Sequence, residues 1–298
     1  MPRPRSRPPA DVLVAGASGF LGSHLVAELL QRTGGRVFAL SRRPADFPSK
    51  RVVALTHDLG KPLGRAALPP RIGSVYHCAS PPGQSTDLRA LRAANVEGTL
   101  RLLDYAARAG ARRFLYVSSG GVCRRGEGPI TEHAPLAPDT PYLASKAAGE
   151  RALHVARGPV PVAVVRLFFP YGPGQRQGLL PRLCRCLVQG EAIQVGRSGS
   201  PRLNPVHVRD AARLLYRIAS GDEGDIVVNL AGRERVSLAS LSTTLARHLG
   251  VRPVFEKHDG PRPSLVGDIR RLRRYGSPRL GLAGGLASFV KAWRRARE

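Results

Sequence analysis

The sequence has few of the features that mark membrane, secreted or metal-binding proteins. No apolar run approaches the roughly 20 residues that span a bilayer, so we expect no membrane helix. The opening segment, MPRPRSRPPA, is basic and proline-rich and lacks the apolar core of a signal peptide. The four cysteines form no CxxC pair and so indicate neither a zinc site nor a disulfide framework. These absences predict a cytoplasmic protein without a metal, in which residues 1–10 form a disordered basic tail.

Acidic residues and lysines are also scarce. The chain has 47 Lys plus Arg against 21 Asp plus Glu, which gives a formal net charge of +26, and only five of the cations are lysines. A charge of this size is typical of proteins that bind nucleic acid. The arginines are scattered along the chain, however, which is typical of an arginine-biased solvated surface. We therefore do not expect a nucleic acid partner, but the positive field would attract an anionic substrate or a phosphorylated cofactor.

What the sequence does contain is a regular alternation of apolar strands and helices. Strands are predicted at 12–15, 36–40, 52–55, 75–79, 114–118 and 162–167, and helices at 22–31, 95–109 and 142–156. This alternation is typical of a parallel sheet that is covered on both faces. Turns multiply after Leu167. The sequence thus predicts an α/β fold, with a doubly wound, Rossmann-like sheet over 11–167 and a smaller substrate-binding lobe with returning sheet elements over 168–298.

A glycine motif, GASGFLG at 16–22, lies between the first predicted strand and the first helix. Glycines at such a turn let the backbone turn tightly and approach a diphosphate at the helix N-terminus. The spacing is GxxGxxG, and any tight strand-to-helix turn could use these glycines. The strand, turn and helix in register favour dinucleotide binding. The predicted contacts in this turn are Gly16, Ser18, Gly19, Phe20, Leu21 and Gly22.

The residue after the second strand normally selects between NAD and NADP. A carboxylate there would bind the ribose 2′-hydroxyl, whereas an arginine accommodates a 2′-phosphate. This chain has Ser41 followed by Arg42, which favours NADP. NAD remains open, because Arg42 and Arg43 also fit the general arginine excess. Asp58 and Leu59 follow the third strand, where they would reach the adenine edge or form a surface turn.

Tyr142 and Lys146 begin a predicted helix, and their i, i+4 spacing puts the phenol and the ammonium on one face. A free tyrosine has a pKa near about 10 and is a poor base at neutral pH, so proton transfer at a carbinol requires a cation that favours the phenolate. Ser119, after the fifth strand, would bring a hydroxyl to the same reacting oxygen. These three residues are the predicted catalytic group.

Together these motifs resemble the extended short-chain dehydrogenases/reductases, the NAD-dependent epimerase/dehydratase family. The resemblance covers nearly the whole chain, through GASGFLG at 16–22, VYHCAS at 75–80, NVEGTLRLLDYA at 95–106, LYVSSGGV at 115–122, PYLASK at 141–146, RLFFPYGPGQ at 166–175 and NPVHVRDAA at 204–212.

The resemblance implies roles for particular residues. Tyr142 would be the acid/base, and Lys146 would hold the nicotinamide ribose and lower the tyrosine pKa. Ser119 would bond the reacting oxygen, and Asn95 would support the active-site helix. The sheet edge containing Cys78, Ala79 and Ser80 would face the cofactor. The resemblance also implies a homodimer through the helices at 95–109 and 142–156.

Departures from the family pattern bear on the substrate. Members that dehydrate sugars usually carry an Asp-Glu pair where this chain has Gly120 and Gly121, so we do not expect dehydratase chemistry. Three positions that often hold a nucleotide diphosphate carry Phe169, Gly178 and Leu203. Spare cations that would serve a phosphate by another geometry are Arg176, Arg182, Arg197 and Arg202.

Three functions follow from this reading. The first is an NAD(P)-dependent oxidoreductase or epimerase of a carbohydrate-like secondary alcohol, in particular a nucleotide sugar at C4. The second is an NADPH-dependent ketoreductase whose substrate carries no nucleotide. The third is a non-catalytic, dinucleotide-bound regulatory protein, which would not need Ser119, Tyr142 and Lys146 together.

Overall fold

The computed structural model describes residues 11–296, apart from 65–67, 82–84, 127, 157, 197–198 and 261–262. The expected tail at 1–10 lies outside the described residues. Among these residues, none of the helices combines the length and apolar composition that crossing a bilayer requires.

The strands carry the scaffold on which the site is built. In chain order they are β1 Val12–Ala15, β2 Val37–Ser41, β3 Val52–Thr56, β4 Ser74–His77, β5 Arg113–Ser119, β6 Val162–Leu167, β7 Pro170–Tyr171, β8 Ile193–Val195, β9 Arg202–Leu203, β10 Val206–His207, β11 Ile226–Leu230, β12 Val236–Ser237 and β13 Phe255–Lys257. Seven of them form one parallel sheet in the order β11-β6-β5-β4-β1-β2-β3. This is the predicted doubly wound, Rossmann-like sheet.

Some of the helices cover both faces of this sheet, and others pack apart from it around a second apolar cluster. The helices are α1 Phe20–Arg32, α2 Leu88–Arg92, α3 Gly98–Arg108, α4 Pro141–Val155, α5 Leu179–Gln189, α6 Val208–Ala219, α7 Leu238–Leu249 and α8 Leu282–Arg295. Side chains alternate along a strand, so Val14 of β1 packs towards α1 and α6, whereas Leu13 packs towards α3. Continuous apolar runs are what a strand buried on both faces requires.

The chain after Leu167 contributes to two parts of the molecule. β11 returns to the main sheet beside β6, and α6 packs against α1. α5, α7 and α8 pack on one another around a separate apolar cluster that includes Leu183, Leu245 and Phe289. The boundary between lobes at 167 and 168 stays a prediction.

The predicted helix at 95–109 differs from the observed one. The helical segment already begins at Leu88, and a π-helical turn, Ala93–Glu97, separates α2 from α3. The predicted strand at 75–79 ends at His77, so Cys78 and Ala79 lie beyond the hydrogen-bonded ladder. Both differences concern residues next to the candidate site.

Candidate active site

A cleft opens at the carboxyl ends of β1 and β4, where the sheet order reverses. Ligands of open α/β sheets bind at such a reversal. The cleft contains a cavity of about 330 Å³. Its lining residues are Gly16, Ser18, Gly19, Leu40, Ser41, Arg42, His57, Asp58, Leu59, Cys78, Ala79, Ser80, Pro81 and Ala94. Ten of the predicted cofactor-binding residues are therefore brought together here.

The glycine turn leaves no space for side chains. Gly16 has φ +81°, and a Cβ on it would lie 2.6 Å from the backbone of Ala79. A Cβ on Gly22 would lie 2.0 Å from the carbonyl oxygen of Gly16. Gly19 caps α1 without a side-chain hydrogen bond, so the first-turn amides lack a side-chain cap. Open amides at a helix N-terminus beside a bare backbone fit the diphosphate of a dinucleotide.

The far end of the cavity contains the residues expected to read the cofactor's ribose and adenine. Ser41 is buried and accepts a 3.1 Å hydrogen bond from the Ser18 amide, so its hydroxyl braces the glycine turn. Asp58 Oδ1 accepts a 2.9 Å bond from the Gly60 amide. Arg42 is exposed at the rim and forms no ion pair within the described chain. It is therefore available to a 2′-phosphate.

The helix α4 carries Tyr142 and Lys146. It begins where the Thr140 hydroxyl accepts a 3.2 Å bond from the Leu143 amide. Tyr142 is half-buried; burial raises the pKa of its phenol, and the neighbouring Ser80 side chain opposes that rise. Lys146, one turn later, is 2% exposed and its Nζ donates to the Val117 carbonyl at 2.9 Å. Burial lowers the pKa of Lys146 to about 8.

Ser119 ends β5 beside the start of α4. Its Oγ accepts a 3.2 Å bond from the Gly121 amide and so caps a short 3-10 turn, Gly120–Val122. This turn packs against α4, and a Cβ on Gly121 would lie 3.0 Å from the Leu143 methyl groups. The predicted serine, tyrosine and lysine therefore belong to two elements in contact at the same end of the sheet.

Several predicted cofactor residues do not line this cavity. Phe20, Leu21 and Gly22 form the first turn of α1, and Phe20 lines a neighbouring cavity of about 460 Å³. Asn95 is fully buried in the π-helical turn, where its amide donates to the Ser145 hydroxyl at 2.8 Å. Lys146 is likewise buried beneath the cavity. This bond ties Asn95 to α4, and its supporting role stays a prediction.

Four further residues line the cavity and are not among the predicted cofactor contacts, namely Leu40, His57, Pro81 and Ala94. The position of His57 is predictable from the sequence, because His57 follows β3 and the carboxyl ends of parallel strands meet at one edge of the sheet. The position of Ala94 is not, because it lies on the π-helical turn, which an ordinary helical period does not predict.

The residues that depart from the family pattern, and the spare cations, lie on several elements. Phe169 adopts φ +42°, a left-handed conformation that is unusual for an aromatic residue. Leu203 is buried on β9 and its neighbour Arg202 is exposed. Arg176 lines the cavity beside the glycine turn, and Arg182 is exposed on α5. The predicted cation Arg197 lies outside the described residues.

A doubly wound sheet, a glycine turn at its reversal point and this Ser, Tyr and Lys group define an extended short-chain dehydrogenase/reductase. The chain belongs to the NAD-dependent epimerase/dehydratase family, whose model matches residues 12–231.

Individual relatives support the same assignment. A dTDP-glucose 4,6-dehydratase of Streptomyces griseus is 32% identical and matches 95% of this chain and 93% of its own length. A UDP-glucose 4-epimerase of Mycolicibacterium smegmatis is 28% identical and matches 95% of this chain and 98% of its own length. A solved structure, MoeE5 in complex with UDP-glucose and NAD, superposes with a TM-score of 0.81 at 32% identity and covers 97% of this chain and all of its own.

Proposed function

We propose that this protein is a 4-epimerase of a nucleotide-linked hexose, which oxidises the C4 hydroxyl and reduces the resulting ketone on the opposite face. The proposal rests on the placement of Tyr142 beside the cleft, one helical turn before the buried Lys146. In addition, the turn after Ser119 carries no carboxylic acid. The nucleotide sugars named for the epimerase relative and for MoeE5 support this substrate class.

The cleft residues fit an NAD-type dinucleotide. The bare turn of Gly16, Gly19 and Gly22 would hold its diphosphate, and Ser41, Arg42 and Asp58 would face its adenosine half. When bound, the cofactor supplies a hydride acceptor that can also return the hydride. We propose NADP as the preferred form, because Arg42 at the rim forms no ion pair with any described residue and Ser41 carries no charge that would repel a 2′-phosphate.

In the proposed reaction Tyr142 takes the proton of the substrate hydroxyl as its phenolate and later returns it. Burial raises the pKa of this phenol, so the phenol must first release its own proton to solvent before the phenolate can act as the base. The ammonium of Lys146, one helical turn away, favours the phenolate by charge. Ser119 would donate a hydrogen bond to the reacting oxygen and hold it beside Tyr142.

The turn that directly follows Ser119 carries no acid for the elimination of water. The turn residues are Gly120 and Gly121, and a Cβ on Gly120 would collide with the Phe168 ring. The chemistry we propose therefore stops at oxidation and reduction of one carbon, although a dehydratase is among the relatives.

A second candidate is an NADPH-dependent ketoreductase whose substrate carries no nucleotide. It is favoured by Arg42 at the rim and by Phe169 and Leu203, which offer no hydrogen bond to a diphosphate. We also propose that two copies pair through α3 and α4, as the family resemblance implies.

Two measurements on the purified protein separate these functions. Native mass spectrometry reports the retained cofactor, and nuclear magnetic resonance of UDP-glucose incubated with the protein reports conversion to the C4 epimer. A retained cofactor with epimer formation supports the epimerase. An empty protein that takes up NADPH and leaves the sugar unchanged would replace the first candidate with the second.

A further inference from the structure

Lys146 is a charged group in surroundings that offer it little hydration. Its side chain is 2% exposed, and within the described chain its Nζ donates one hydrogen bond, to the Val117 carbonyl. An ammonium has three N–H donors. Burial with so few partners lowers the pKa of Lys146 to about 8. Another group is therefore needed to stabilise the charged form.

The ring of Tyr116 lies against that ammonium. The distance from Lys146 Nζ to the Tyr116 ring centroid is 4.8 Å. Tyr116 is fully buried on β5, next to the residue whose carbonyl accepts from Lys146. A cation within about 6 Å of an aromatic face is attracted by the ring, and more strongly away from water. We propose that Tyr116 is a positioning residue, whose ring face holds the Lys146 ammonium charged and in reach of Tyr142. The catalytic consequence rests on the proposed function.

A buried cluster fixes the orientation of the Tyr116 ring. The His77 ring lies 5.4 Å from it, centroid to centroid. His77 Nε2 is 2.9 Å from Thr99 Oγ1, and Thr99 donates to the Asn95 carbonyl at 2.8 Å. A Cβ on Gly149 would lie 2.5 Å from the Tyr116 hydroxyl oxygen, so the glycine lets the ring approach α4. The ring therefore has little freedom to turn away.

The other groups around Lys146 do not replace the ring. The titratable and charged groups on the elements packed against it are His77 on β4, Cys78 directly after β4, Tyr116 on β5, Tyr142 and Glu150 on α4, and Arg166 on β6. Burial lowers the pKa of His77 to about 3 and raises that of Cys78 to about 12, so both are neutral near pH 7. The Glu150 carboxylate is bound by Arg166 at 2.8 Å and by the Ser118 hydroxyl. Glu150 also favours the ammonium by charge, but the groups in contact with Nζ itself are the Val117 carbonyl and the Tyr116 ring face.

The test reads the pKa of Lys146 directly and needs no substrate. The chain contains five lysines, so a protein with ¹³C-labelled lysine gives few ε-methylene signals, and a Lys146→Met variant identifies the one of interest. In Tyr116→Leu and Tyr116→Met, which remove the ring, we expect this pKa to fall by about 0.4 to 1.5 pH units. In Tyr116→Phe, which keeps the ring, we expect less than half of that fall.

A matched control separates the ring from the loss of packing. Phe114 is also fully buried on β5, two residues away, and its ring lies 6.3 Å from that of His77. Phe114→Leu should destabilise the fold similarly and leave the pKa of Lys146 unchanged. A pKa that is unchanged or raised when the ring is removed overturns the inference, as does an equal fall in Tyr116→Phe. A clear fall in the variants without the ring, with less than half of it in Tyr116→Phe, supports the inference. This holds even if the protein does not convert UDP-glucose, because that failure would count against the proposed function alone.

Discussion

The ring of Phe168 fills the space that a side chain at Gly120 would need. A Cβ on Gly120 would lie 2.4 Å from Cε1 and Cζ of that ring, and one on Gly267 would lie 2.9 Å from it on another side. Phe168 is 1% exposed, so the ring lies in the packed interior and cannot turn into solvent. The absence of an acid at position 120 is thus matched by the packing around it.

Replacing Gly120 with aspartate should therefore destabilise the protein and add no dehydratase activity. Overpacking a buried site costs about 1–3 kcal/mol, and a buried carboxylic acid adds to this. The free energy of unfolding in urea measures the loss. Gly126→Ala is the control, because nothing lies within 4 Å of a Cβ there. A Gly120→Asp protein as stable as the wild type would show that Phe168 yields easily.

Removing the hydroxyl of Tyr142 should abolish proton transfer and spare the cofactor cleft. In Tyr142→Phe we expect kcat to fall by about 10²- to 10⁴-fold, the usual contribution of an acid/base group, with nearly unchanged cofactor affinity. Steady-state kinetics and calorimetric titration measure the two quantities. Tyr105→Phe is the control. It removes an α3 hydroxyl that donates to the Pro69 carbonyl, and it should leave kcat unchanged. Unchanged turnover in Tyr142→Phe would refute the assigned role.

The scaffold of the site follows from local patterns in the sequence. β1 and β6 were predicted with their observed bounds, because continuous apolar runs bounded by turns specify strands buried on both faces. Tyr142 and Lys146 were predicted on one helix, since their spacing needs only the helical period. Features of this kind, which depend on one apolar run or one helical period, are predictable from the sequence.

Contacts between distant segments are not predictable in this way. Phe168 meets Gly120 across 48 residues of sequence, and no periodicity relates them. Tyr116 was expected only as a strand residue, because the lysine that lies on its ring comes from α4. The π-helical turn, Ala93–Glu97, is followed by Gly98, where a Cβ would lie 2.7 Å from the Leu59 carbonyl, and no helical period predicts this close approach.

Arg42 should distinguish the two forms of the cofactor. In Arg42→Ala we expect NADP affinity to fall by about 10- to 100-fold, because a hydrogen bond to a charged group contributes about 1.5–3 kcal/mol, and NAD affinity to change little. Fluorescence titration with both reduced cofactors measures this. Arg43→Ala is the control, since Arg43 is exposed but does not line the cavity. Equal losses for NAD and NADP in Arg42→Ala would show that this arginine does not read the 2′-phosphate.

The proposed pairing through α3 and α4 should depend on Val155. This apolar residue ends α4 and is 83% exposed. Light scattering should give twice the chain mass of 32.0 kDa for the wild type and the single mass for Val155→Glu. Val188→Glu, on α5 and 48% exposed, should remain paired. If light scattering gives the mass of one chain for the wild type, the proposed pairing is wrong.

Because Lys146 is buried, the free energy of unfolding should change with pH in the alkaline range. Burial lowers its pKa from 10.5 to about 8, so between these values the unfolded chain binds a proton that the folded chain has released. The free energy of unfolding of the wild type should therefore rise with pH across this window relative to Lys146→Met, by up to about 3 kcal/mol. Urea unfolding at pH 7, 8, 9 and 10 measures the difference. Lys291→Met, at an exposed position of α8, should show no such trend. A constant difference between wild type and Lys146→Met across the window would mean that the folded protein keeps Lys146 hydrated.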